Sequence, residues 1–423
     1  MITCTYKELD RLCEFRVCVQ PYALKNLDLL ILVTSDKTIT SHYQKKSEME
    51  RKKQDNHEER QSTNNGPSKL FETDEPSKNH LLSHPVEHFA AEEGKDASGV
   101  LSTFTRTGFQ SRNLGRCYKV LLDLLKDPER PVVFMSLAGA MVPGGLRKVI
   151  SDMIKLHIVD VLVSTGANLY HDFYESMGYR HYLAQDNVDD VFLRKKRINR
   201  MLDIYADDDQ FTTADAHIVK LTEKLPPNRY STREYLHFLG SQVRDPDSIL
   251  GVASRENVPV FCPAISDSSI GIALAAYVAK RVREDKSYLT VDVIKDNLEA
   301  VSAREQAPKS AAIVIGGGVP KNFIQQIAPM GEVVGIVLEG HTYGVQITTD
   351  DPKWGGLSGC TFQESQSWGK YVNGASLATV YADATIALPI LFQGLIDQKK
   401  EWHPRSPFKF DWTQVLDKTR TTG

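Results

Sequence analysis

Two short apolar runs with one helical stretch between them restrict this chain more than any other feature. Residues 132–137 and 159–164 are almost wholly apolar. Each reads as a strand buried on both faces, as in parallel sheets. Between them lie Ala138-Gly139-Ala140-Met141-Val142-Pro143-Gly144-Gly145 and a helix predicted over 146–156. Strand, glycine-containing loop, helix and strand make a βαβ unit, because parallel neighbours need a crossover. The alternation recurs in strand 258–261 with helix 270–279, and in strand 311–315 with helix 323–327. Further strands are predicted at 333–338, 344–348 and 378–383, the last leading into an apolar helix over 386–395. The predicted fold is α/β, a doubly wound, mostly parallel sheet.

Elsewhere the pattern is helical. Residues 104–125 and 290–303 have helical spacing, and 170–255 are polar and mostly helical, with Tyr182-Leu183 in a loop. Helix 270–279 is apolar nearly all round and is expected to be buried. Residues 44–81 are nearly all polar or charged and cannot bury enough apolar surface to offset chain entropy, so they are predicted disordered. The chain divides into an N-terminal extension, 1–84, and a globular part, 85–423. A start downstream of Met1 would leave the globular pattern whole.

Among the 423 residues, 41% are hydrophobic and 25% charged, and the net charge of -3 argues against a nucleic-acid binder driven by bulk electrostatics. No apolar run reaches the roughly 18 residues that span a bilayer. The run 27–33 is short and follows acidic residues, unlike a secretion signal. The six cysteines are scattered without a C-x-x-C pair, which fits a reducing cytoplasm and suggests no zinc site.

Chemistry concentrates near the C-terminal end. Lys370 follows Glu364-Ser365-Gln366-Ser367-Trp368-Gly369 and stands outside any charge run. A lysine held partly out of water has its pKa lowered from about 10.4, which frees a neutral nucleophilic amine; otherwise it is a surface lysine. Gly316-Gly317-Gly318 follows a strand and precedes a helix, so its bare backbone either cradles a phosphate or only makes a tight turn. It is not G-x-G-x-x-G. Thr165-Gly166-Ala167 and Asp267 end strands on the same predicted edge, which points to a nucleotide site there. Asp383 either caps the following helix or binds a ribose hydroxyl. His171-Asp172 is either an acid–base pair or the first turn of a helix.

Taken together, these pieces resemble the deoxyhypusine synthase family over roughly 85–400. The resemblance rests on Val159-Asp160-Val161-Leu162-Val163-Ser164-Thr165, Pro259-Val260-Phe261-Cys262-Pro263-Ala264, Asp267 and Ile315-Gly316-Gly317-Gly318-Val319. Above all it rests on Glu364 with Ser367-Trp368-Gly369-Lys370 and Val380-Tyr381-Ala382-Asp383-Ala384. It implies a Rossmann-like NAD site and an NAD-dependent transfer of an aminobutyl unit from a polyamine such as spermidine. Lys370 matches the catalytic lysine that carries the unit as an imine. Thr165, Gly166, Ala167, Asp267 and Gly317 match positions that hold NAD. So do Thr349, Asp350, Asp383 and Ala384. Glu364 and Trp368 match positions that grip the polyamine by charge and by an aromatic face. The family implies a homotetramer with sites at dimer interfaces.

The chain departs from the family pattern at several places. Gly139-Ala140 replaces a Ser-Asn pair. His171 stands where a glutamate contacts spermidine. Ile272 and Leu357 replace polyamine-binding aspartates, and Asn322 replaces a histidine proposed to carry a proton. The resemblance therefore implies an aminobutyl transferase with altered substrate or acceptor. It is compatible with a homospermidine synthase-type enzyme that uses putrescine as acceptor, or with an inactive NAD-binding paralogue that regulates a partner enzyme.

Overall fold

The computed structural model describes residues 77–412. The apolar run 27–33 and most of the 44–81 segment lie outside the described residues. Of two units, Met1–Leu81 and Leu82–Gly423, the first contributes to the description mainly a one-turn helix, Lys78–Leu81. The second unit carries the α/β fold.

Its centre is a six-stranded sheet built from β1 (Val132–Leu137), β2 (Val161–Ser164), β3 (Val260–Phe261), β4 (Ser310–Ile315), β5 (His341–Thr348) and β6 (Tyr371–Tyr381). The strand order is β6-β5-β4-β1-β2-β3, and every pairing is parallel. The chain winds outward from β1 through β2 to β3, then returns to β4 beside β1 and winds the other way. The order therefore reverses between β1 and β4, where open α/β sheets form a ligand crevice.

The double burial expected of β1 is realised. Val133, Met135 and Leu137 point into one apolar cluster, and Val132 and Phe134 into the other. This period of two places one core on each face of the sheet. Helices α1 (Ala97–Phe104), α2 (Phe109–Lys126), α3 (Arg147–Lys155), α4 (Gly166–Ser176) and α5 (Asp208–Thr222) precede β3. After it come α6 (Ser269–Arg283), α7 (Val293–Glu305), α8 (Gly318–Gln325), α9 (Phe362–Gln366) and α10 (Ala384–Asp397). Among the described residues no helix is long and apolar enough to cross a membrane.

Four expectations need correction. Residues 333–338 are not a strand: a helix, Ile327–Val333, ends there, Gly335 turns with φ +83°, and Val337 is 93% exposed. β4 and β5 pair directly, so the sheet has no slot for that run. The helix predicted over 104–125 is two helices, broken where Phe109 takes φ +53°. Tyr182–Leu183 is not loop but pairs antiparallel with the strand Ile204–Asp207. Finally, α6 is not buried all round. Ile270, Ala273 and Tyr277 are buried, whereas Ile272 is 61% and Val282 59% exposed. An apolar composition here coexists with one covered face and one open face.

Candidate functional site

Loops after the C-terminal ends of the parallel strands meet along one edge of the sheet. Thr165 precedes α4, and its hydroxyl donates not to the helix but to the Gly139 carbonyl, 2.7 Å away. The first N–H groups of α4 therefore have no side-chain cap, which leaves them available to an anion. Gly166 lies against Ser268: a Cβ there would meet the Ser268 hydroxyl oxygen at 2.3 Å. That contact joins Thr165-Gly166-Ala167 to Asp267, which is exposed beside Ser268. Gly144 approaches Thr385, bringing the loop after β1 to the start of α10.

Asp383 caps α10. Its carboxylate accepts from the Thr385 N–H at 2.7 Å and the Thr385 hydroxyl at 2.6 Å, and these bonds hold it below the usual carboxylate range. Ala384 follows as the first residue of that helix. Thr349 is exposed and Asp350 half-buried just past β5.

Gly317 precedes α8 and has no side chain to cap it, but the Gly318 N–H donates to the Ser358 hydroxyl at 3.1 Å. A Cβ on Gly317 would fall 2.3 Å from the Ser358 Cα, whereas one on Gly318 would meet nothing within 4 Å. The glycine run thus has one residue sealed against a neighbouring loop and one open. Gly317→Ala is expected to push that loop away and to cost about 1–3 kcal/mol. Urea denaturation would measure this, and an unchanged midpoint would mean that the loop yields freely.

Lys370 stands apart from these strand ends. It precedes β6, and Tyr371 pairs with His341, the first residue of β5. Its backbone is therefore at the opposite end of the sheet from Asp383. The preceding turn is tightly made: Gly369 takes φ +69°, a conformation that favours glycine, and the Lys370 N–H donates to the Ser365 carbonyl. From there the Lys370 side chain reaches back to α8, and Nζ donates to Asn322 Oδ1 at 3.2 Å. At about 1.5 Å rise per residue, Asn322 lies roughly 6 Å along α8 from Gly318. One helix thus links the lysine to the glycine rim.

The Asn322 amide in turn donates to Gln326 Oε1 at 2.9 Å, so a neutral amide pair orients the lysine. The half-buried Lys370 Nζ is 5.9 Å from the Trp368 ring centroid. Both residues line a cavity of roughly 530 Å³ together with Glu364, Asn322, Leu357 and Cys360. Glu364, Trp368 and Lys370, linked only by sequence spacing before, here share one space.

His171 lies elsewhere. It is buried against Phe211 and Tyr170, and its Nδ1 is 2.9 Å from His181 Nε2, whose Nδ1 is 2.6 Å from Glu175. Burial, and then His181, pull His171 down to about 3, so it is neutral at neutral pH. Asp172 is tied into the fold, accepting from Arg147, Ser248 and the N–H groups of Ile249 and Leu250. That structural role differs from the acid–base pairing considered for His171-Asp172.

Sequence reasoning missed Lys321. It is fully buried, and its Nζ donates to Gln346 Oε1 (3.1 Å), the Ser358 carbonyl (3.3 Å) and the Cys360 carbonyl (2.6 Å). It pins the loop that packs on Gly317 and walls the lysine cavity. Burial lowers it from 10.5 to about 8. Its position three residues after the glycine run was the available signal.

Fold and site together define a class: a doubly wound α/β protein with the uncapped start of α4 and a glycine run at the switch point, and a lysine cavity beside them. The deoxyhypusine synthase family profile matches residues 99–395. The "Probable deoxyhypusine synthase 2" of Methanosarcina acetivorans is 41% identical over 322 residues, covering 75% of this chain and 92% of the relative. A "Deoxyhypusine synthase-like protein" of Coxiella burnetii is 35% identical over 339 residues, covering 79% of this chain and 94% of its own. A crystal structure of an Entamoeba histolytica protein superposes with a TM-score of 0.51 at 16% identity, covering 73% of this chain and 96% of that one. That likeness concerns the fold alone. This chain belongs to the deoxyhypusine synthase family.

Proposed function

We propose that this chain is an NAD-dependent transferase that moves an aminobutyl unit from a polyamine such as spermidine to an amine acceptor, through an imine on Lys370. The observation that carries the reading is the setting of Lys370: its amine meets a neutral amide rather than a carboxylate, inside a cavity that also holds Trp368 and Glu364. A primary amine placed there is a nucleophile able to attack carbon.

The residues at the switch point fit NAD. The start of α4 lacks a side-chain cap, and the space beyond Gly318 is open. These suit a pyrophosphate. Thr165, Gly166, Ala167, Asp267 and Gly317 would hold the dinucleotide with Thr349, Asp350, Asp383 and Ala384. When bound, NAD supplies the hydride acceptor for the donor's carbon–nitrogen bond and returns the hydride to the product. Glu364 would attract the amine's charge, and Trp368 would offer its face. His171, neutral and away from this cavity, would contribute to the amine site through a second copy in a homotetramer. The enzyme would act in the cytoplasm.

The test is incubation of purified protein with NAD and spermidine, followed by borohydride reduction and peptide mass analysis. An aminobutyl adduct on Lys370 is expected. Protein that binds NAD without forming any adduct would instead fit a regulatory paralogue. Putrescine and a lysine-bearing protein acceptor, each added in turn, would identify the recipient amine.

A further inference from the structure

We propose that Glu175 and His181 form a proton relay behind His171, which makes His171 Nε2 the base that takes a proton from the reacting amine. The proposal rests on the transfer reading above and on the place of His171 in its amine site.

The tautomers follow from the hydrogen bonds. The Glu175 carboxylate can only accept, so the His181 Nδ1–H, 2.6 Å away, donates to it. The neutral His181 ring then has a bare Nε2, which accepts from the His171 Nδ1–H at 2.9 Å. His171 is left with Nε2 unprotonated. That nitrogen makes no hydrogen bond among the described residues and is not sealed from solvent. The rest of the pair is enclosed: Phe211 and Tyr170 meet His171 edge-on, and Tyr174 leans on His181. All three relay residues belong to one chain, and each link is complete within it. The arrangement therefore needs nothing from a second copy.

The relay decides where charge goes. Burial opposes a positive charge on His171, whose pKa is pulled down to about 3. A proton arriving at Nε2 is therefore matched by passage of the Nδ1 proton to His181. His171 stays neutral, and the imidazolium charge rests on His181 beside Glu175. The base gains a proton without gaining a charge next to a cationic amine. Other charged groups nearby are otherwise engaged. Arg147 on α3 is 3.7 Å from Glu175 but is held by Asp172 at 2.8 Å and Asp245 at 2.9 Å. Asp215 on α5 acts on Tyr170, and Asp207, ending the strand Ile204–Asp207, acts on Tyr174, rather than on His171.

The protons balance. The donor ammonium loses a proton to His171 Nε2, leaving a neutral amine whose neighbouring carbon can release hydride to the dinucleotide. The Lys370 amine adds to the resulting iminium carbon, and the original carbon–nitrogen bond breaks. The departing amine recovers the proton from Nε2. One carbon–nitrogen bond is broken, one is formed, and the relay returns to its starting state.

The experiment measures NADH formation by the full chain with NAD and spermidine across pH, and follows labelled histidines by nitrogen NMR in the protein without ligands. At neutral pH His171 is expected to carry its proton on Nδ1 and none on Nε2. Glu175→Gln keeps an acceptor for His181 but removes the charge that supports its imidazolium. It is expected to move the acid limb of the rate profile down by about one pH unit and to lower the plateau about tenfold. A loss of packing alone would lower the plateau and leave the limb in place. His181→Gln still accepts from His171 but cannot carry the proton, and is expected to cost about 10²-fold on the plateau. An unmoved limb in Glu175→Gln, or an Nε2–H tautomer of His171 in the natural protein, would overturn the relay. Neither NADH nor a Lys370 adduct from any amine would overturn the transfer reading and the role of His171 with it, whatever the tautomer.

Discussion

Lys370→Ala is expected to abolish the borohydride-stable adduct and to lower transfer by about 10³-fold or more, the usual scale for loss of a covalent nucleophile. The fold should survive. The side chain is half-buried, and its hydrogen bond is a single one to Asn322, so stability should change by less than about 1 kcal/mol. NAD affinity should change little, since the lysine lies along α8 from the glycine run rather than at its start. Lys370→Arg makes the stricter comparison: it keeps the charge but offers no neutral amine at working pH. Transfer retained by either variant would remove Lys370 from the chemistry.

Lys321→Met is expected to change how stability depends on pH more than stability at any one pH. Near neutrality two effects oppose. The Gln346 and Cys360 oxygens lose a donor, at about 1–3 kcal/mol each, while the cost of burying a charge disappears. The pH dependence separates them. The folded pKa of Lys321, about 8, lies below the ordinary 10.5. Between those values the unfolded chain binds more protons than the folded one, so this residue contributes stability that increases as pH rises from about 8 to 10.5. By the linkage relation the stability of the natural protein relative to the variant should rise by up to about 3 kcal/mol across that window. Denaturant melts at several pH values would measure it, and a constant difference would mean that Lys321 is not forced to give up its charge. Hydrogen exchange over residues 352–360 should quicken in the variant, because the loop loses its tether.

Much of the architecture was legible because burial on both faces leaves a simple signature. The run 132–137 is matched residue for residue by β1, and both cores of the sheet can be read from its alternate side chains. Residues 333–338 carry a similar composition and make no strand. Whether an apolar run pairs depends on whether a neighbouring backbone edge is free, and β4 and β5 had already taken each other's. For α6 the residue types promised enclosure, yet Ile272 stays open, because helix composition does not state how many faces find a neighbour.

The amino-acid order alone determined the doubly wound sheet, the family, and the grouping of Glu364, Trp368 and Lys370, since each depends on local periodicity or on residues a few positions apart. Tertiary structure decided that Lys370 reaches Asn322 across 48 positions, that Lys321 is a buried tether rather than a surface charge, and that His171 rests on His181. Those facts depend on chain segments remote in sequence meeting at a few ångströms. Hydrogen bonding and charge burial act at that distance, whatever the spacing along the chain.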